Sequence, residues 1–494
     1  MLISGLALGA VLGFVMQRGR FCVTGFLRDI FTQRSWRGFV ALLIVISVHA
    51  IGLAALTSAG VITPEYKELA PLAVIIGGVI FGLGIVLAGG CASGTWYRSG
   101  EGLIGSWIAL VFYALSAAAM KTGFLGGLQD SLKDRTVGLT SIHASLGISI
   151  WPLVIALSAL TAYLAVRYLR EEFSGPRPVT LAPRKSGLAH ILAEKPWHVY
   201  ATAAIVGVLG VIAWPLSAAT GRNDGLGITT PSSNLANYVV TGDTERFDWG
   251  VLLVLGILVG SFIAAKASGE FRLRVPDATQ GARSVVGGIF MGVGAAWAGG
   301  CTVGNGMVQT SLFSYQGWLA LASIAAGVAI AAKLWLKPSA PSLNDVPSTP
   351  STTNDTAVSA TAPVTSAATS PVSLPGSEGA GAAGTEASPL AGAFAVAPVA
   401  LLDRSVVKQE DGKLKPLGDG RYELDTVGAV CPFPLIEAKD AINKIEVGEE
   451  LVIPFDCTQA TDAIPRWAAK DGHEVTNFEQ TGEAGWTISV RRGR

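Results

Sequence analysis

Charge is scarce in this chain. Only 15% of its 494 residues are Asp, Glu, Lys or Arg, where a soluble protein carries roughly 25%. Lys plus Arg and Asp plus Glu both number 36, so the formal net charge is zero. That balance argues against nucleic acid as a partner, which calls for a basic excess or a basic face. Cysteine is scarce too. Five residues are too few and too scattered for a disulfide framework. No CxxC or Cys/His spacing suggests a metal site. GxxxxGK[ST] is missing, so direct coupling to ATP is not expected. No cofactor is implied. What the chain has instead is apolar residues, half of the total, and 60 glycines.

The hydrophobicity lies in long runs before about residue 337 and vanishes after it. The fold class expected is a polytopic α-helical membrane protein with a small soluble α/β domain at its C-terminal end. The expected boundaries are 1–337 for the membrane domain, 338–397 for a disordered linker rich in Pro, Ser, Thr, Ala and Gly, and 398–494 for the tail. A hydrocarbon core of ~30 Å takes about 20 apolar residues in a helix. Nine spans are expected, near 2–16, 38–59, 72–90, 103–121, 147–168, 199–217, 249–266, 284–300 and 316–336. Arg18 and Arg20 follow the first one directly, which favours a retained helix over a cleaved signal peptide. Basic residues crowd the loops after spans one, five and seven, while the loops after spans two and six are poor in them. By the positive-inside rule this puts the N-terminus outside and the tail in the cytoplasm.

An internal repeat carries the strongest signal. Residues 77–94 read GGVIFGLGIVLAGGCASG and residues 287–304 read GGIFMGVGAAWAGGCTVG. Gly77, Gly78, Gly82, Gly84, Ala88, Gly89, Gly90, Cys91 and Gly94 each recur 210 positions later. By the span count the two copies run in opposite directions, so they form an inverted repeat. Transporters of that design place substrate at the repeat interface. Each copy is glycine-rich and followed by a semi-polar stretch, which predicts a broken helix. Irregular backbone is tolerated at membrane depth only where protein buries it or it lines a cavity, and a broken helix offers unpaired N–H groups to an anion. The stripe glycines have a plainer reading as helix-packing residues. Gly89, Gly90, Gly299 and Gly300, beside the paired cysteines, are expected at the substrate.

Cys22, Cys91 and Cys301 are the three cysteines of the membrane half. A buried cysteine usually behaves as a small hydrophobe. Here each sits in a Gly/Arg-rich break or a repeat motif, and none in a plain apolar run. Three soft sulfurs along a path suit a sulfur-containing solute better than a hard oxyanion. His49, Arg98, Glu101 and Lys121 form a second rank of candidates, because ionisable groups near the bilayer centre are functional by default. Arg98 and Glu101 also fit a simple interfacial position, and Lys121 a helix end.

In the tail, 422–425, 450–455, 474–479 and 486–490 read as strands, and 435–444 and 460–469 as helices, giving a two-layer sandwich. Its chemistry lies in Cys431-Pro432-Phe433-Pro434. Pro434 suits a first helical turn, so Cys431 is expected to cap a positive helix end, which favours the thiolate. Such a thiolate attacks sulfur–sulfur bonds or carries a persulfide. Cys457 is either a second thiol for sulfur exchange or a packed strand-end residue.

These motifs resemble known families. The doubled AGGC segments and the early FC pair are similar to the YeeE/YedE membrane family, whose characterised members take up thiosulfate. CPFPLIEAKDAI and DCTQATDAIPRWAAKDGHEV resemble the YeeD branch of the TusA/SirA sulfur-carrier family. The two resemblances cover 1–337 and about 420–494. They imply that Cys22, Cys91 and Cys301 contact thiosulfate, that Cys431 acts on sulfur, and that the tail works against its own permease domain. They further imply a multi-pass protein of the bacterial inner membrane, with the lipid bilayer and downstream sulfur-accepting proteins as partners. The protein is then primarily a transporter, with sulfurtransferase-like chemistry in the tail. The competing expectations are a membrane-anchored sulfurtransferase without transport, and a permease for a selenium compound or another sulfur oxyanion. The chain departs from the family in its long 169–198 connection, its 218–248 loop and its covalent linker, which puts the coupling of the two halves in question.

Overall fold

The computed structural model describes residues 2–336 and 414–493. The linker expected over 338–397 and the expected start of the tail at 398 lie outside the described residues.

The first span is interrupted, α1 (Ile3–Arg18) followed by α2 (Val23–Thr32). After α3 (Arg37–Ser58) comes a second interrupted span, α4 (Pro71–Leu87) and α5 (Ala92–Gly100), and then α6 (Ile104–Lys121). The short helices α7 (Gly126–Lys133) and α8 (Ile142–Leu146) lead to α9 (Trp151–Ser174), and α10 (Gly187–Ala193) precedes α11 (Val199–Ala218). The helices α12 (Thr229–Thr241), α13 (Trp249–Ser268), α14 (Ala278–Ala298) and α15 (Tyr315–Trp335) complete this half.

Among the described residues eight segments are long and apolar enough to cross a membrane, where nine were expected. The difference is the span expected at 284–300. It does fold as a helix, α14, but Gln280, Arg283 and its glycines dilute the apolar run. α14 nevertheless runs antiparallel along α4. A methyl group on Gly77 would lie 2.5 Å from Ala298 N and 2.7 Å from Gly294 O. One on Gly287 would lie 2.5 Å from Ala88 N and 2.9 Å from Gly84 O. Exchanging the two repeat copies converts the first set of contacts into the second, as a two-fold axis between them requires. These glycines therefore let two backbones meet. Gly292 does the same against Tyr113 O and Ala117 N of α6, and Gly82 against α15. A second glycine seam joins α1 to α13, where Gly9 and Gly13 face the backbone of Leu253 and Ile257. α9 stands at the rim and buries only Val154 and Thr161.

The tail is a five-stranded sheet, β1 (Leu414–Gly418), β2 (Arg421–Leu424), β3 (Glu450–Phe455), β4 (Glu474–Gly482) and β5 (Gly485–Arg491), in the order β1-β2-β3-β5-β4. The helices α16 (Phe433–Ile442) and α17 (Ala460–Asp471) complete it. Its core gathers Phe455, Trp486, Ile453, Ile488 and Val490 from the strands, with Ile464 and Ala468 of α17. The four expected strands and two helices are all present. β1 was not expected. It is an edge strand that carries a proline and buries little.

Candidate functional site

Each membrane cysteine follows a backbone break, and the three breaks share one local shape. Two residues before each cysteine the chain takes a left-handed conformation: Arg20 at φ 48°, Gly89 at φ 71° and Gly299 at φ 80°. The chain then extends, and at Cys22 and Cys91 it re-enters a helix, so both residues occupy N-cap positions. Cys91 Sγ accepts a hydrogen bond from Gly94 N at 3.4 Å and lies 3.5 Å from Ser93 Oγ. Cys301 leads instead into a short π-helical turn, Gly304–Gln309.

All three thiols are buried, at 2%, 0% and 1% exposure for Cys22, Cys91 and Cys301. Cys22 and Cys91 converge on Gly94, where a methyl group would lie 3.3 Å from Cys91 Sγ and 3.8 Å from Cys22 Sγ. Tyr113 of α6 is fully buried. Its hydroxyl donates to Thr229 Oγ1 at 2.8 Å. Neither α4–α5 nor α14 presents its cysteine outward.

The two repeat breaks are closed by different chemistry. At the first, Arg98 Nη1 donates to Gly89 O, and a methyl group on Gly90 would approach the same nitrogen at 3.5 Å. At the second, Asn305 Nδ2 donates to Ala298 O at 2.8 Å and Gly300 O at 3.0 Å. Gln316 Nε2 then donates to Asn305 Oδ1 at 3.0 Å. A cation thus closes one break and neutral amides close the other.

The tail sits at the charged break. Val430 Cγ1 lies 3.0 Å from where a side chain on Gly89 would begin. Next to that contact is a cavity of about 230 Å³ between the two halves. Arg98, Glu101 and Arg274 line it from the helical half, and Cys431, Asp456 and Cys457 from the tail. Its wall is held by backbone pairing of the segment after α5 with the segment after α13. Arg272 N donates to Glu101 O at 3.3 Å, Arg274 N to Gly102 O at 3.0 Å, and Ile104 N to Arg274 O at 3.0 Å. Below it, buried Glu270 accepts from Gln17 Nε2 at 2.6 Å and from Arg20 Nη2 at 3.2 Å, which ties the first break to the end of α13.

The charges of this cavity are not those of free side chains. Burial pushes the Glu101 carboxyl up to about 7, and nearby Glu270 adds to the effect against Arg274, Arg98 and Arg20. Burial acts on Glu270 in the same direction, but Arg20, Arg18 and the Gln17 amide outweigh it and hold that carboxylate below its usual range. Burial also lowers Arg274, against Asp456 and Glu101.

Cys431 does not cap α16. Pro432 takes the N-cap position, and Phe433 N donates to Val430 O at 3.0 Å in a turn that encloses the cysteine. Cys431 is half-buried and disulfide-paired with Cys457, their Cα atoms 6.2 Å apart.

Residues 18–330 match the family model described as sulphur transport, and residues 422–492 the one described as sulfurtransferase TusA. The chain belongs to the sulphur transport family. Within it, the thiosulfate transporter TsuA of Escherichia coli K12 is 51% identical over 328 residues, 66% of this chain and 93% of that protein. The thiosulfate transporter TsuA of Spirochaeta thermophila is 32% identical over 335 residues, 65% of this chain and 94% of its own length. The tail is 59% identical over 70 residues, 14% of this chain, to the putative sulfur carrier protein TsuB of E. coli K12, covering 93% of it. This sulphur transport family member therefore joins in one chain two parts that each resemble a whole protein elsewhere.

Of the second-rank residues, Arg98 and Glu101 reach the cavity and the other two do not line it. His49 is buried against Gly210 of α11, with no hydrogen-bond partner for Nε2 among the described residues. Lys121 ends α6 at the opposite pole from the cavity, where Nζ donates to Thr230 Oγ1 at 2.6 Å. Sequence reasoning missed Tyr113, Asn305, Gln316, Glu270 and Arg274. Asn305 carried a signal, since it sits in the polar run after the second AGGC; the others depend on long-range contacts.

Proposed function

We propose that the chain takes up thiosulfate and that its tail removes the terminal sulfur as the ion arrives. In this reading the N-terminus is outside, α14 is a ninth crossing, and the tail lies at the cytoplasmic face of the bacterial inner membrane. The observation that carries it is the placement of Cys431 in a cationic cavity beside the Gly89 break, two residues from buried Cys91. The name of the TsuA relatives, thiosulfate transporter, supports the same substrate, and that of the TsuB relative, putative sulfur carrier protein, supports sulfur handling in the tail.

Thiosulfate is a dianion with a soft terminal sulfur. The helix ends at Cys22 and Cys91 offer backbone N–H groups to the sulfonate, while the thiols meet the terminal sulfur as successive weak sites. Weak multiple binding lets an ion leave as readily as it enters. In the cavity Arg98 and Arg274 offset the charge. The Cys431 thiolate attacks the terminal sulfur, the sulfur–sulfur bond of thiosulfate breaks, and sulfite leaves with the electron pair. The transferred sulfur is left on Cys431 as a persulfide, from which it passes on to downstream sulfur acceptors. Consuming the free ion draws further uptake by mass action.

Uptake of labelled thiosulfate by reconstituted liposomes tests this directly. Cys91→Ala and Cys301→Ala each lower uptake about tenfold or more, the loss of roughly 1.4 kcal/mol at one site. Unchanged uptake in both would defeat the relay, and growth rescue by the tail alone would leave only an anchored sulfurtransferase. Competition by sulfite or selenium anions at equal concentration would reassign the cargo.

A further inference from the structure

The tail places two sulfurs together where carrying a persulfide needs only one. Cys431 and Cys457 are 26 residues apart in the chain, on the loop before α16 and just after β3, yet their Cα atoms are 6.2 Å apart. That separation falls in the range a disulfide spans. Both line the cavity that Arg98 and Arg274 make cationic. Cys457 is 6% exposed and lines that cavity. In a reducing compartment such a pair is typically transient and catalytic.

We propose that Cys457 is a resolving thiol, and that the tail is a dithiol site releasing the sulfur of thiosulfate as sulfide. This rests on the persulfide step of the preceding section. That step leaves Cys431 with a terminal sulfur anion. Cys457 sulfur then attacks Cys431 Sγ. The bond between Cys431 Sγ and the terminal sulfur breaks, a disulfide forms, and the leaving sulfur takes the electron pair and the Cys457 proton as hydrosulfide. The two thiols have supplied two electrons and the sulfane sulfur has accepted them. A dithiol reductant restores both cysteines by exchange through a mixed disulfide. Each turnover converts one thiosulfate and one dithiol into one sulfite, one sulfide and one disulfide. The enclosed position of Cys457 favours this internal attack over capture of the persulfide by an outside thiol.

A single turnover tests it without the complication of added reductant. The full chain, pre-reduced, freed of reductant and held in detergent, is mixed with thiosulfate, and sulfite, sulfide and the Cys431 peptide mass are followed. The wild type is expected to release both products in equal amounts and to end with the Cys431–Cys457 disulfide. Cys457→Ser and Cys457→Ala are expected to keep the sulfite burst, lose sulfide release, and retain one extra sulfur atom on Cys431. That retained sulfur also reports that the variants are folded. Sulfide release from both variants at the wild-type rate overturns the resolving role and leaves the persulfide step standing. An undiminished sulfite burst from Cys431→Ala overturns the persulfide step itself.

Discussion

A left-handed residue precedes each membrane cysteine by two positions, but only two of the three are glycines. Gly89 and Gly299 could be anticipated because glycine adopts positive φ without strain. Arg20 could not, because nothing in QRGRFC marks an arginine as the hinge; its contacts to Glu270 and Thr461 hold it there. Arg98 and Glu101 were visible as ionisable residues near the bilayer, yet their cavity was not, since one side of its wall comes from the tail. Glu101 yields a pH prediction. Its carboxyl, raised to about 7 by burial and by Glu270, is neutral below that pH and anionic above it. Glu270, Arg274, Arg98 and Arg20 are the charges facing it. An anionic Glu101 repels an arriving dianion, so uptake is expected to fall as the pH on the tail side rises through about 7. Glu101→Gln removes that inflection while leaving uptake at low pH near the wild-type level; an inflection that persists in the variant refutes the assignment. Arg98→Gln removes the cation at the Gly89 break. A charge-assisted hydrogen bond contributes about 1.5–3 kcal/mol, so half-saturation is expected to shift roughly ten- to hundredfold, measured from the concentration dependence of uptake.

The paired helices α4 and α14 show what a repeat in the sequence can and cannot specify. The shared glycines and the 210-residue offset announced two equivalent segments, and the structure packs them through equivalent contacts. The apolar run at 284–300 does fold as α14, but it is less apolar than the other spans, because the glycines that let the backbones meet also dilute it. The closures of the two breaks were not readable. Gln316 comes from α15, and Arg98 reaches back from the far end of α5. The symmetry makes its own prediction. Gly77→Ala and Gly287→Ala each force a methyl group to within 2.5 Å of a backbone nitrogen on the other helix. Both are expected to destabilise by about 1–3 kcal/mol, as overpacking does, and by similar amounts. Gly281→Ala, in the same helix with nothing within 4 Å, is expected to be within about 0.5 kcal/mol of the wild type. Thermal unfolding of the detergent-solubilised protein separates the cases. Unequal losses at Gly77 and Gly287 would mean that the two-fold relation is only geometric.

At the scale of the molecule, ion pairs and backbone contacts hold the tail against the helical half, whatever the linker contributes. Arg466 Nη1 lies 2.7 Å from Glu172 Oε1, at the end of α9, while its Nε pairs with Asp462 Oδ1 at 2.8 Å. Burial opposes the ionised form of Asp462, but Arg466 and Arg37 outweigh it and hold the carboxyl below its usual range. Glu172 is shared further with Arg37 at 3.1 Å. Elsewhere Arg20 donates to Thr461, Arg274 stands 3.9 Å from Asp456, and Ala484 N donates to Gly269 O at 3.1 Å. An isolated exposed pair contributes at most about 1 kcal/mol, but Glu172 gathers two guanidinium groups into a half-buried network. The sequence announced the two families and not this contact, because it joins residues 294 positions apart, one at the end of α9 and one in α17. If the network holds the tail at the cavity, a protease site placed in the linker should sever the chain without releasing the tail at low salt. Arg466→Glu should release it, and Glu172→Arg combined with Arg466→Glu should restore retention. Rising ionic strength should weaken retention of the wild type. Co-purification of the severed halves reads all three, and uptake should follow retention, since a tail that drifts away leaves Cys431 facing bulk water instead of the arriving ion. Full uptake by the severed Arg466→Glu protein would mean that the cavity between the halves has no part in transport.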